Sequence, residues 1–170
     1  MFDAETTARA EQVLRAFRTR GLMLATAESC TGGLVAGALT AIAGSSDVLE
    51  RGFVTYSNRA KMELLGVRAD SLATYGAVSA ETAREMAEGA ASRAPVDVAV
   101  SVTGVAGPGG GTAQKPVGLV HFACAVKGRA TVHRRMVFGD LGRDEIRRRS
   151  VLVALDLLAE AAGEGPAAEG

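Results

Sequence analysis

Three segments of the sequence gather residues able to break an acyl bond. In Ala27-Glu28-Ser29-Cys30-Thr31-Gly32-Gly33 a hydroxyl and a thiol stand side by side before two consecutive glycines. An apolar run precedes the segment and a helical pattern follows it, so it reads as a strand-to-helix junction. Such junctions leave N–H groups unpaired at the positive end of the helix dipole. Two glycines let a ligand approach the backbone closely. The combination suits a phosphate, a carboxylate or a developing oxyanion, with Ser29 at its mouth. The plainer alternative is that Ser29 or Thr31 caps the helix.

The second segment, Val54-Thr55-Tyr56-Ser57-Asn58-Arg59-Ala60-Lys61, turns from a strand into a helix and carries Tyr56 and Lys61 close together. A lysine beside a hydroxyl nucleophile can serve as its base once burial and positive neighbours lower its pKa by about three pH units, about 4 kcal/mol. Lys61, Lys115 and Lys127 are the only lysines among 19 Lys and Arg residues. Arginine cannot give up its proton near neutral pH, so a retained lysine is a candidate for acid–base work. A surface helix lysine is the alternative. In the third segment, Thr103 is followed by five glycines and Pro108 within 104–112. This composition favours a backbone shaped round a ligand, a mobile lid or a flexible connection. No lysine follows its last glycine as in a phosphate-binding Walker loop, and a strand rather than a helix comes next. His121 and His133 lack metal-ligand spacing, Gly-x-Ser-x-Gly is missing, and Arg147-Arg148-Arg149 reads as a solvated helix face.

The elements that must position these groups follow from periodicity and breakers. Ala10, Val13, Leu14 and Phe17 recur at helical spacing within a predicted helix over 7–20, ended by Gly21. A buried strand is predicted at 22–27, a small-residue helix at 34–43 and a strand at 48–56. A short helix at 58–65 is stopped by Gly66. Residues 72–78 read as a connector, and Ser79 as the N-cap of a helix over 80–92 with Glu81 in its first turn. A strong strand spans 96–102, 103–116 is irregular, and 117–126 and 130–138 form a hairpin through Lys127-Gly128-Arg129. A closing helix runs over 143–162, and the tail from 163 is predicted to fray. Alternation first and a hairpin late imply a three-layer α/β/α fold with a mixed, mostly parallel sheet.

Composition bounds the function. The 170 residues fit one domain with a core large enough to fold without disulfides or metals. Nineteen acidic residues balance the 19 Lys and Arg, which argues against a protein that coats nucleic acid. Aromatics at 4% leave little for base stacking. No apolar run approaches the length of a spanning helix, and the N-terminus lacks a signal-peptide core. Cys30 and Cys124 read as reduced thiols of a cytoplasmic protein.

The stretches AESCTGGLVA (27–36), GSSDVLERGFVTYSNRAKMELLGV (44–67), YGAVS (75–79), SVTGVAGPGGGTAQKPVGLVHFA (101–123) and FGDLGRDEIR (138–147) occur in that order. Together they resemble the C-terminal domain of the competence/damage-inducible CinA family across nearly the whole chain. The resemblance implies hydrolysis of the carboxamide of nicotinamide mononucleotide to nicotinate mononucleotide and ammonia, a salvage step in the pyridine nucleotide cycle. It implies Ser29 as nucleophile, Lys61 as base, Tyr56 orienting or relaying, and Thr103 holding the nucleophile–base network or the amide. Backbone groups of Cys30, Thr31, Gly32 and Gly33, or of Gly104 to Gly107, would supply the oxyanion hole and substrate contacts. Arg143 would pair with the substrate phosphate, with Arg147 the alternative, because Leu141-Gly142 separates Gly139-Asp140 from Arg143 where many relatives have Gly-Asp-Arg. No cofactor or metal is required by this acyl-transfer logic. The partner expected is a small nucleotide, not nucleic acid or membrane, and a homodimer is the default oligomer. The rivals are a non-catalytic nucleotide-binding module tied to competence or DNA damage, and a hydrolase using Cys30.

Overall fold

The computed structural model describes residues 1–163, so the tail expected to fray lies, Gly163 apart, outside the described residues. The chain forms α1 (Ala4–Arg20), β1 (Leu24–Glu28), α2 (Leu34–Thr40), a 3-10 turn (Ser45–Asp47), β2 (Leu49–Val54), α3 (Asn58–Leu65) and α4 (Ala69–Tyr75). It continues with α5 (Ala80–Arg93), β3 (Val98–Gly104), β4 (Leu119–Val126), β5 (Val132–Val137) and α6 (Arg143–Ala161).

The strands form one sheet in the order β2-β1-β3-β4-β5. β1 pairs in parallel with both β2 and β3, and the β4–β5 hairpin adds antiparallel to β3. β4 alone runs against the other four, so the sheet is mixed and mostly parallel, as the pattern implies. Strand alternation sends side chains to opposite faces. Leu24, Val98, Val100, Val102, Val120 and Phe122 meet α1, α2 and α6 in the main core. Ala25, Ala27, Ala99, Ala123 and Ala125 lie against the α3–α5 layer. Their small side chains let α5 come close. The same closeness recurs at Gly89 of α5, where a Cβ would stand 1.9 Å from the Leu65 carbonyl oxygen of α3.

Local signals set most boundaries. Asp3 caps α1 by accepting the Thr6 N–H at 2.7 Å, and Gly21 closes it with φ 64°. Ser57 caps α3, Gly66 ends it, and Ser79 caps α5. One element departs from the sequence expectation: most of 72–78 is not a connector, because α4 occupies Ala69–Tyr75. Its cap comes from another helix. Glu85 of α5 accepts the Arg68 N–H at 2.7 Å and also the Ser71 hydroxyl. The small-residue helix expected over 34–43 stops at Thr40, and the strand expected over 48–56 is trimmed to Leu49–Val54.

Candidate active site

β1 and β3 lie side by side in parallel, and β1 is flanked by β2 on its other side. The chain leaves β1 toward one side of the sheet and enters β3 on the other. The carboxyl ends of such strands open a crevice at the topological switch point. Ser29 follows the last residue of β1, and Thr103 is near the end of β3. A cavity of about 290 Å³ opens there, walled by Ser29, Cys30, Tyr56, Lys61, Thr103 and Arg143 among others.

Alternation along β1 carries one residue past its end. Glu28 turns to the α2 face and Ser29, one position on, to the α3 face. Lys61, in the second turn of α3, reaches across and donates from Nζ to Ser29 Oγ at 3.1 Å. It also donates to the carbonyl oxygens of Thr55 at 2.9 Å and Tyr56 at 3.4 Å. Lys61 is only 1% exposed. Among the described residues no carboxylate bonds its ammonium, and burial pushes its pKa down. Two carbonyls can take the two N–H groups of the neutral amine. The lone pair is then left facing the Ser29 hydroxyl, which is the geometry a general base requires.

Burial acts oppositely on Cys30. The residue is 6% exposed, and burial pushes its thiol pKa up to about 11, against the lowering effects of its own backbone N–H and of Arg147. A thiol of this kind is protonated at neutral pH and is a poor nucleophile.

The other expected residues separate into two groups. Tyr56, Thr103, Gly104, Gly107 and Arg143 line the cavity with Ser29, Cys30 and Lys61. Tyr56 is 61% exposed, and its hydroxyl accepts from Arg143 Nη2 at 2.9 Å. The tyrosine therefore meets Lys61 through its backbone carbonyl, and its hydroxyl is engaged at the rim rather than relaying between Ser29 and Lys61. Arg143 Nη1 donates to the Gly107 carbonyl at 2.8 Å, closing the rim from the Gly-rich loop to Tyr56. Thr103 is buried and donates its hydroxyl proton to the Ala77 carbonyl at 2.7 Å. Only lone pairs remain for the cavity.

Thr31, Gly32 and Gly33 are not at the cavity wall. Gly33 takes φ 101° and turns the chain into α2. The open helix terminus expected there is filled from within. The Glu28 carboxylate, 1% exposed, accepts the N–H groups of Val35 at 2.8 Å and Ala36 at 3.0 Å and the Thr26 hydroxyl at 3.2 Å. The α2 terminus thus binds its own anion. Among the described residues, the N–H groups of Cys30, Ala106 and Gly107 take no part in the backbone–backbone hydrogen bonds. Glu28 is the residue of this junction that motif and spacing do not single out, and its carboxylate anchors the turn behind Ser29. Its signal was a carboxylate ending an otherwise uncharged buried strand, one residue from the nucleophile candidate.

Outside the cavity lining, the structure joins His121 and His133, whose Nδ1 and Nε2 lie 2.9 Å apart across β4 and β5. No group of three or more His, Cys, Asp or Glu that could hold a metal occurs among the described residues. No helix among them is long and apolar enough to cross a membrane.

Comparison with known proteins is consistent with the geometry. The profile of the CinA C-terminal domain matches residues 6–162. The chain is 50% identical over 159 residues to the nicotinamide-nucleotide amidohydrolase PncC of Escherichia coli K12, covering 93% of this chain and 95% of that protein. It is 48% identical to the CinA-like protein of Kosmotoga olearia, over 89% of this chain but 36% of that longer protein. The crystal structure of the competence/damage inducible protein CihA from Agrobacterium tumefaciens superposes with a TM-score of 0.93 at 52% identity, covering 95% of this chain and 98% of that one. On the extent of the profile match and of these identities, the chain belongs to the CinA C-terminal domain family.

Proposed function

We infer that the protein is an amidohydrolase that converts nicotinamide mononucleotide to nicotinate mononucleotide and ammonia in pyridine nucleotide salvage. The observation that carries this reading is the buried Lys61 amine on Ser29 Oγ at 3.1 Å, in a cavity of a chain half identical to a named nicotinamide-nucleotide amidohydrolase.

The geometry supports the following steps. Neutral Lys61 takes the Ser29 proton as Oγ attacks the carboxamide carbon, which the pyridinium ring makes electrophilic. The Cys30 N–H, with those of Ala106 and Gly107, receives the oxyanion. Lys61 returns the proton to the leaving nitrogen, and ammonia departs from an ester at Ser29. Thr103, with only lone pairs to offer, accepts from the carboxamide N–H or the departing ammonia. Water then attacks the ester, Lys61 takes its proton, and that proton restores the Ser29 hydroxyl as nicotinate leaves. Arg143, already at the rim, offers its planar fork to the phosphate, and Tyr56 orients it.

The protein acts on a small nucleotide in the cytoplasm, not on nucleic acid, and pairs as a homodimer, which sedimentation equilibrium checks. The test of the activity is ammonia release from nicotinamide mononucleotide by the purified, folded protein. Nucleotide binding without turnover would favour the non-catalytic binding module instead.

A further inference from the structure

Arg143 and Arg147 lie one turn apart near the start of α6, so both point the same way. They reach different loops. Arg143 holds Gly107 O and Tyr56 Oη at the cavity rim. Arg147 stays outside the cavity wall and grips the turn behind Ser29. Its Nε donates to the Cys30 carbonyl at 3.1 Å and its Nη2 to the Thr31 carbonyl at 3.3 Å.

Within that turn the Thr31 carbonyl also accepts from Leu34 N–H at 3.1 Å, whereas among the described residues Arg147 is the donor to the Cys30 carbonyl. Ser29 is tied to the sheet by its N–H on Val102 O at 2.9 Å, and its carbonyl accepts from Gly32 N–H at 3.0 Å. Among the described residues the buried Thr31 hydroxyl has no hydrogen-bond partner. Glu28 anchors the far side of the turn through the Val35 and Ala36 amides. A carboxylate therefore holds the N–H groups that follow the turn, and a guanidinium holds the carbonyls within it. Between them they fix the peptide planes on either side of Thr31, and with the first of these the backbone torsion that follows Cys30. Cys30 carries the N–H adjacent to the nucleophile.

We propose that Arg147 is a positioning residue: by holding the Cys30 and Thr31 carbonyls it sets Ser29 Oγ and the Cys30 N–H in attacking geometry, and it does not bind the nucleotide. A forked donor is needed, because a lysine keeps the charge but cannot serve both carbonyls from one plane. The proposal rests on the amidohydrolase reading above, so its test has an arm that needs no nucleotide.

Arg147→Met and Arg147→Lys are compared with wild type for ammonia release from nicotinamide mononucleotide, and for the rate at which a fluorophosphonate labels Ser29. The methionine variant should lose about a hundredfold in kcat, as when an oxyanion donor is displaced, with KM within about threefold. Labelling should slow in parallel, and the lysine variant should fall about tenfold on both measures. Should the methionine variant fail to fold, the lysine variant carries the comparison. A rise in KM of about tenfold at unchanged kcat would make Arg147 a substrate ligand and overturn the proposal. Unchanged kcat, or a fall in kcat with unimpaired labelling, would overturn it equally. A wild type that labels but releases no ammonia would sink the amidohydrolase reading, with labelling of the variants still deciding the role of Arg147. A wild type that does neither would remove both.

Discussion

Along β3, Val98, Val100 and Val102 point toward α1 and α6, while Ala99, Ser101 and Thr103 point toward α5. The contrast extends across the sheet. Phe122 of β4 lies on the first face and Ala123 on the second. The first face buries large apolar surface and contributes the main hydrophobic stabilisation. The second gives that up for small side chains, and its carboxyl end opens into the cavity. The lesson is a division of labour: the large apolar core is concentrated on one face and the Ser29–Lys61 contact on the other, with α6 of the first face reaching the cavity only past the strand ends through Arg143.

Ser29→Ala tests the chemical face most severely. It should lower kcat at least about 10⁴-fold while leaving Tm close to wild type, read by ammonia release and calorimetry. A loss below tenfold would detach catalysis from that face. Phe122→Ala is the counterpart. It should cost about 3–5 kcal/mol in urea unfolding and leave kcat intact wherever the protein is folded. A collapse of kcat in the folded variant would break the division.

Lys61→Arg keeps the charge and removes the base, so kcat should fall at least about a hundredfold. In wild type, kcat/KM should rise with pH along a limb set by Lys61, whose pKa lies below its ordinary value because of burial. The arginine variant should lack that limb. The same shift has a stability consequence. Between the lowered value and 10.5 the unfolded chain binds the extra proton, so the contribution of Lys61 to stability rises with pH across that window. A pH–rate profile that the substitution leaves unchanged would remove Lys61 from proton transfer.

His121 sits opposite Thr103 on the chemical face. Burial, then His133, Arg135 and Lys115, push its pKa down to about 4, with Glu81 opposing. As pH falls from 6.5 toward 4 the unfolded chain is protonated first, so stability is lost in that range. His121→Gln should reduce the loss by about 2 kcal/mol, measured by urea unfolding near pH 7 and near pH 4. An equal loss in the variant would assign the acid sensitivity elsewhere. The smallest effect is expected at Cys30. Cys30→Ser should leave kcat within about threefold, because a thiol held protonated is not the nucleophile. If that change abolishes turnover and Ser29→Ala does not, the nucleophile is Cys30.

Much of this was legible in the sequence where the signal is local. The limits of α3, from Asn58 to the stop at Gly66, and the Ser79 cap follow from residues within a few positions of each helix end. Nothing local predicts α4, because the carboxylate that caps it is Glu85 of α5. The Gly-rich loop was recognisable as a candidate wall, whereas the open terminus of α2 was a misleading signal. Composition cannot reveal that Glu28 folds back to fill it.

The sequence by itself determined which residue types were available, a serine, a lysine and a flexible loop, and the periodicity that sends Glu28 and Ser29 to opposite faces. Only the tertiary structure decided that Lys61, 32 positions away, meets Ser29, that Arg143 takes the rim, and that Arg147 takes the turn behind it. The reason is one of range. Caps and alternation act over a few residues, whereas these contacts depend on strand order and on how α3 and α6 settle against the ends of β1 and β3. Those arrangements are set by burial of the whole sheet.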